Sequence, residues 1–161
     1  MAKIRPTPEH RFWAKVTKTP TCWLWTAGRD RNGYGKFEVS GRSVQAHRYA
    51  YELLVGPIPA GMQIDHRTTC PKNCVNPEHL RPATHKQNQE NRSGIHGVSW
   101  FAPLGKWRVR IRHNGRLYHI GVFDRKELAI QAVIRKRNEL FTHNDADRVW
   151  PYVRETTTTR S

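Results

Sequence analysis

Ile64-Asp65-His66, then Cys70-Pro-Lys-Asn-Cys74, Asn76-Pro-Glu-His79-Leu80 and Thr84-His-Lys-Gln-Asn88 form the stretch on which the reading of this chain turns. Short apolar runs predict a strand over 62–66 and another over 80–83, with a loop carrying both cysteines between them. Thr84 then suits a helix N-cap, and the helix is expected to run to about residue 92. A strand, a loop and a helix in this order can bring Asp65, His66 and Asn88 onto one ligand. A neutral imidazole suits a general base near pH 7. A carboxylate and an amide oxygen suit Mg²⁺, which keeps several waters and needs few protein ligands. Hydrolysis of a phosphodiester requires this pairing: a base for water, and a hard cation for the charge on the phosphorane and the leaving oxygen.

Working outward, residues 1–20 are polar and proline-punctuated, with a short helix expected around 10–16. Residues 22–25 and 33–39 read as strands joined by the turn-rich 27–32. Ala46, Tyr49, Ala50, Leu53 and Leu54 recur at a helical period over 45–55, closed by Gly56-Pro57. Ser93-Gly94 is the best candidate boundary. Beyond it the rhythm changes. Residues 107–112 alternate strictly, Asn114-Gly115 is a two-residue hairpin signal, and Arg116–Phe123 is the return strand. A helix over 124–141, capped by Asp124, carries Leu128, Ala129, Ala132, Val133 and Leu140. From residue 142 the chain reads as a largely disordered tail. The expected domains are therefore 1–92 and 93–141, followed by the tail 142–161.

The chain has 161 residues, 28 Lys and Arg against 13 Asp and Glu, and a formal charge of +15. That excess points to a polyanion, with nucleic acid ahead of an acidic membrane surface. The charge is spread: 15 basic and 7 acidic residues lie in 1–92, 10 and 3 in 93–141, and 3 and 3 in 142–161. Both expected domains are basic, so both are expected to touch the polyanion. No apolar run approaches the roughly 18 residues needed to cross a bilayer, and no signal-peptide core is visible. A cytoplasmic location is the expectation. Three cysteines in a reducing compartment suggest ligands or buried thiols in place of disulfides.

Cys70, Cys74 and His79 are spaced as a soft ligand set for zinc in a closed tetrahedral site, and Cys22 is the remaining cysteine. A Cys₃His site would staple the N-terminal hairpin to the loop, and metal binding would then be folding energy for a small domain. The alternatives are a Cys22 buried beside Trp23 with a metal-free loop, or His85 or His47 as the fourth ligand.

Residues 21–92 resemble the HNH (ββα-metal) endonucleases, in particular phage and mobile-intron members with a cysteine-containing loop. The resemblance rests on Cys22-Trp-x-Trp-Thr, Gly33-Tyr-Gly, Ala46-His47-Arg48, Gly56-Pro-Ile-Pro59, Asp65-His66, Cys70-x3-Cys74, Asn76-Pro-x-His79-Leu80 and Asn88. It implies that His66 is the general base and that Asp65 and Asn88 hold a catalytic Mg²⁺ or Mn²⁺ in a ββα finger. It also implies a nick or double-strand break in duplex DNA leaving 5′-phosphate and 3′-hydroxyl ends, in a homing or phage-encoded role. The cysteine loop is similar to that of the His-Cys box homing endonucleases, in which zinc is structural and His79 would be a ligand. The chain departs from the commonest pattern at His79, where Asn usually orients the base. The orienting contact must come from elsewhere, a backbone carbonyl or Asn76. His47 and Arg48 either pack and cap their helix, or Arg48 reaches the scissile phosphate.

In 107–112 the alternation puts Arg108, Arg110 and Arg112 on one face of a strand and Trp107, Val109 and Ile111 on the other. Arginine reads guanine edges and phosphates, and a sheet can enter the major groove. Residues 96–141 resemble the ethylene-response-factor (APETALA-like) DNA-binding domain through His96-Gly-Val-Ser-Trp100, Lys106-Trp-x-Val-x-Ile, His119-Ile-Gly-x-Phe123 and an Ala-rich helix. Trp100 and His119 are then additional expected DNA contacts, Trp100 also suiting a core position. The expected fold is α+β: a ββα-metal finger with an N-terminal hairpin and helix, then a three-stranded antiparallel sheet on one helix. Monomer and homodimer both fit. The rival functional reading is a non-catalytic, zinc-stapled DNA-binding regulator, and RNA is the alternative substrate.

Overall fold

The computed structural model describes residues 6–67, 70–92 and 94–148. The chain divides into two compact units between Gln89 and Glu90. The expected boundary residue Ser93 and the tail from 149 on lie outside the described residues.

The first unit opens with helix α1 (Pro8–Trp13), whose first turn is capped by the Thr7 hydroxyl accepting from His10 N. Two small hairpins follow. Strand β1 (Val16–Lys18) pairs with β2 (Trp23–Trp25), and β3 (Lys36–Val39) pairs with β4 (Arg42–Gln45). The expected pairing of 22–25 with 33–39 is therefore corrected, because each strand finds its partner next to it in sequence. The β3–β4 turn is Ser40-Gly41, both at positive φ, the conformation a tight two-residue hairpin demands. Phe12, Trp25, Phe37, Ala46, Ala50 and Val75 form the core, with Phe12 and Phe37 meeting edge to face at 5.2 Å.

Helix α2 (Ala46–Leu54) begins where β4 ends. Gly35 lets it come close: a Cβ there would sit 2.6 Å from the Trp25 ring and 2.9 Å from Ala46 Cβ. That approach permits Ala46 N to donate to Gly35 O at 2.8 Å. Strands β5 (Gln63–His66) and β6 (Leu80–Ala83) pair antiparallel, with Asp65 opposite Arg81 and His66 opposite Leu80. Helix α3 (His85–Glu90) follows, about two residues shorter than expected. Its start is a reciprocal cap: Gln87 N donates to Thr84 Oγ1, and Thr84 N donates to Gln87 Oε1. The β5–β6–α3 succession is the expected ββα finger.

In the second unit, β7 (Val98–Phe101), β8 (Lys106–His113) and β9 (Arg116–Phe123) form an antiparallel sheet in that order. Helix α4 (Lys126–Leu140) covers one face, and Val109, Ile111, Ala129 and Val133 form the buried core between them. Two expectations about α4 are corrected. Its N-cap is Arg125, and Asp124 instead pairs with Lys106 at 3.1 Å. Leu128 is exposed, because the buried row is Ala129, Val133 and Arg137, spaced four apart.

Residues 142–148, expected within the disordered tail, are ordered in a polar network and end in helix α5 (Asp145–Arg148). Arg137, 3% exposed, lies 2.9 Å from Asp147 and donates to Gly94 O and to Asn144 Oδ1. Glu90 accepts from Thr142 N and Oγ1 and lies 3.3 Å from His113 Nε2. A buried guanidinium needs such partners, and the segment after α4 supplies them. The apparent disorder of that segment in sequence reflected only its polarity.

Candidate active site and metal cluster

Cys22, Cys70, Cys74 and His79 converge, their ligand atoms all within 4.8 Å of one another. Strand β2 makes this possible. Trp25 N donates to Asn73 O and Val75 N to Trp23 O, so the cysteine loop is sewn along the strand that follows Cys22. Asn76 caps the short 3₁₀ turn Pro77–His79 by accepting from Glu78 N at 3.1 Å, which presents His79 to the thiols. The contacts are 3.4 Å between Cys22 Sγ and Cys70 Sγ, 2.9 Å from Cys70 Sγ to His79 Nδ1, and 3.6 Å from Cys74 Sγ to His79 Nδ1. A tetrahedron with metal–sulfur bonds of about 2.3 Å has edges of roughly 3.8 Å, so these separations fit a single zinc ion. Burial first, and then the neighbouring thiols, push the Cys70 thiol well above its ordinary range, and burial pushes up that of Cys74. A crowd of buried thiols costs free energy that a cation offsets by holding them as thiolates. His85 and His47 are not in the cluster.

His66 ends β5, half-buried. Its Nε2 lies 2.9 Å from the carbonyl oxygen of Cys74. A carbonyl can only accept, so Nε2 carries the proton and Nδ1 carries the lone pair. The orienting contact left open in sequence is thus a backbone carbonyl, and Asn76 serves as a cap elsewhere. Burial lowers the His66 pKa, opposed by the bond to Cys74 and the nearby Asp65 charge. The ring therefore stays neutral near pH 7, as a base requires.

Asp65 is 7% exposed, and Arg81 donates to its Oδ2 from Nε at 3.3 Å and from Nη2 at 3.2 Å. The cross-strand register brings these two residues opposite each other. Asn88, on α3, donates from Nδ2 to Gln63 Oε1 at 2.7 Å. Its amide nitrogen is thus committed, which leaves Oδ1 as the chemically suitable donor to a cation. Asp65, on β5, and Asn88, on α3, each offer a hard oxygen of the kind Mg²⁺ or Mn²⁺ takes. Arg81 and Gln63 are partners the sequence did not disclose. Cross-strand pairing and the β5–α3 packing bring them in, and neither leaves a local signal.

Two more rings stand against His66. The His47 centroid is 4.9 Å away and that of Tyr34 is 5.9 Å away, with 5.2 Å between Tyr34 and His47. His47, in the first turn of α2, is 3% exposed, and its Nδ1 finds no hydrogen-bond partner among the described residues. An unpartnered buried nitrogen costs on the order of 1–3 kcal/mol. Burial, then the His66 and Arg48 charges, lower the His47 pKa to about 3. Tyr34 has its pKa raised by burial, then by Asp65 and Asp30. Arg48 follows His47 on α2 and is half-buried. Lys72, from the cysteine loop, sits with its Nζ 5.4 Å from the Tyr34 ring.

On the second unit's sheet, Arg108, Arg110 and Arg112 share the face turned away from α4, while Val109 and Ile111 are buried. His119 lies opposite Arg110 in register and joins that face. Trp100 does not. It pairs with Trp107, their rings 5.3 Å apart, on the α4 side at the sheet edge, 53% exposed. Phe101 occupies the arginine face instead, with the Arg108 guanidinium 4.4 Å from its ring centroid. Leu117 and Val122 are exposed there too, opposite Arg112 and Arg108. No helix among the described residues is long and apolar enough to cross a membrane.

The family described as "HNH endonuclease" matches residues 44–90, from the end of the second hairpin through α3. The chain is similar to Protein 7.7 of Escherichia phage T7, 40% identical over 70 residues, which cover 44% of this chain and 53% of that protein. It therefore spans about half the length of Protein 7.7. It is also similar to Protein 3.8 of the same phage, 31% identical over 117 residues, covering 68% of this chain and 93% of that protein. No solved structure matches. The chain belongs to the family of phage T7 Protein 3.8, and its residues 44–90 match the HNH endonuclease family.

Proposed function

We propose that this protein is a divalent-metal-dependent endonuclease of double-stranded DNA. The reading rests above all on the His66 imidazole, held by the Cys74 carbonyl so that Nδ1 is the basic nitrogen, next to Asp65 and in the same ββα finger as Asn88. His66 Nδ1 takes a proton from the attacking water. The water oxygen bonds to phosphorus and the bond to the 3′-oxygen breaks, giving 5′-phosphate and 3′-hydroxyl ends. Asp65 and Asn88 would hold Mg²⁺ or Mn²⁺, which when bound supplies positive charge for the phosphorane and the leaving oxygen. Arg81 holds the Asp65 carboxylate in place, and Arg48 is assigned to the scissile phosphate. Cys22, Cys70, Cys74 and His79 hold a structural zinc that fixes the loop bearing the Cys74 carbonyl.

The second unit is the targeting module, similar in its motifs to the ethylene-response-factor type. Its open sheet face carries Arg108, Arg110, Arg112 and His119, with Phe101, Leu117 and Val122 between them for apolar contact with the bases. Trp100, on the other side, is assigned to the module's packing. Each bidentate arginine–guanine pair discriminates by about 1–3 kcal/mol.

The test is to incubate supercoiled and linear DNA with the protein, with Mg²⁺ or with EDTA, and to map the ends. Relaxation or linearisation with Mg²⁺ alone, with 5′-phosphate ends, supports the nuclease. Supercoiled plasmid intact across varied targets, though bound, would instead favour a non-catalytic regulator.

A further inference from the structure

His47 and Tyr34 come from separate elements, yet the backbone ties them together. Gly35, next to Tyr34, accepts from the N–H of Ala46, next to His47, at 2.8 Å. Tyr34 is pinned again by Asp30, whose Oδ1 accepts from Tyr34 N at 3.0 Å and whose N–H donates to Tyr34 O at 2.8 Å. Both rings pack against His66, the His47 centroid 4.9 Å and the Tyr34 centroid 5.9 Å from it. The Cys74 carbonyl fixes one nitrogen of His66, and the two rings against the imidazole limit its tilt about that bond.

We propose that Tyr34 and His47 are positioning residues that, with the Cys74 carbonyl, clamp the His66 imidazole in a single orientation. This rests on the reading of His66 as the base of the site. The clamp acts through shape: the His47 ring sits 97% out of solvent and its Nδ1 has no hydrogen-bond partner among the described residues, so an aromatic ring lacking that nitrogen keeps the contact with His66. A base displaced by about 1 Å from its water costs roughly a hundredfold in rate. The clamp therefore belongs to turnover and not to DNA affinity, which is spread over many basic side chains.

The experiment compares His47→Ala, His47→Phe and Tyr34→Ala in the full-length, zinc-loaded protein. It reads kcat and KM on plasmid DNA, and the imidazole nitrogens of His66 by long-range ¹H–¹⁵N NMR. The expected result for His47→Ala is a kcat about 10- to 100-fold lower with KM unchanged. The His66 spectrum should pass from one Nε2–H tautomer to a mixture. His47→Phe should recover most of the kcat, the single tautomer and at least the wild-type melting temperature. Tyr34→Ala, at a half-buried position, should move kcat in the same direction and supplies the comparison if His47→Ala does not fold. A folded His47→Phe as slow as His47→Ala would overturn the clamp, because the nitrogen and not the ring would be needed. So would mixed tautomers in the wild type, or wild-type kcat in His47→Ala and Tyr34→Ala. A wild-type protein that shows the single tautomer but cuts no DNA would end the nuclease reading and leave the clamp standing.

Discussion

Replacing Cys74 by Ser should release the zinc and unfold the first unit. Cys74 is fully buried and, with Cys22, Cys70 and His79, closes a cluster with no solvent position to spare. The unit ends at Gln89. At about 0.05–0.15 kcal/mol per residue, a unit of that size has roughly 4–13 kcal/mol of net stability. Structural zinc contributes on the order of 10–16 kcal/mol of binding free energy near pH 7, which is folding free energy when the site forms only on folding. The two magnitudes are comparable, so the metal-free unit has little or no margin. Even a loss of about 3 kcal/mol would lower its melting temperature by roughly 12–24 °C. The core adds to the effect, since Val75 and Trp25 pack on the chain segments that carry two of the ligands. The assay combines elemental analysis with thermal melting followed by tryptophan emission, Trp25 being fully buried. Wild-type protein should carry about one zinc per chain, and Cys74→Ser should carry none and show red-shifted emission at 25 °C. A cooperatively folded wild type without zinc, or a zinc-free Cys74→Ser that melts as the wild type does, would refute the reasoning.

Replacing Arg110 or Arg112 by Ala should weaken binding to a preferred site by about 10- to 100-fold and relax sequence preference if the sheet reads bases; binding titrations on specific and scrambled duplexes check this. A uniform loss across sequences, with the salt slope smaller by about one unit, would mean that the face contacts phosphates alone. Stability should also fall in acid through His47. Its folded pKa of about 3 lies below its ordinary value of 6.5, so between these pH values the unfolded chain holds the extra proton. The stabilisation is complete above pH 6.5 and shrinks as pH falls, by roughly 2 kcal/mol at pH 5. His47→Phe should therefore lose about that much less stability between pH 7 and pH 5 than the wild type does; equal losses in denaturant melts would contradict the assignment.

Elements with a strong repeating pattern were legible in the sequence. β6 and β9 span the residues expected from the apolar run 80–83 and the Asn114-Gly115 turn, and Thr84 caps α3. What was hidden has physical reasons. Strand β4 is Arg-Ser-Val-Gln, with a single apolar residue, and exists because it continues a tight turn. Trp100 was left between a DNA contact and a core position, because cross-strand register and not residue type decides its side. Asp124 had the composition of a cap, but Lys106 on a neighbouring strand claims it. The gathering of Cys22, Cys70, Cys74 and His79 was readable from spacing and chemistry, since soft donors near one another have few other uses. The carbonyl that orients His66 was not, because main-chain groups carry no residue code. Tyr34 lay in plain view in Gly33-Tyr-Gly35, where the glycine needed for close approach to α2 was the available clue.

The most direct test of the central claim is the single-turnover cleavage rate and the DNA dissociation constant of His66→Ala, measured on the same duplex with Mg²⁺ beside the wild type. Removing a general base costs typically 10²–10⁴-fold in rate, whereas the proposed DNA contacts are the basic side chains of both units. The account predicts a fall of that size in the cleavage rate with the dissociation constant within about twofold of wild type. Cleavage at the wild-type rate by folded His66→Ala would contradict it.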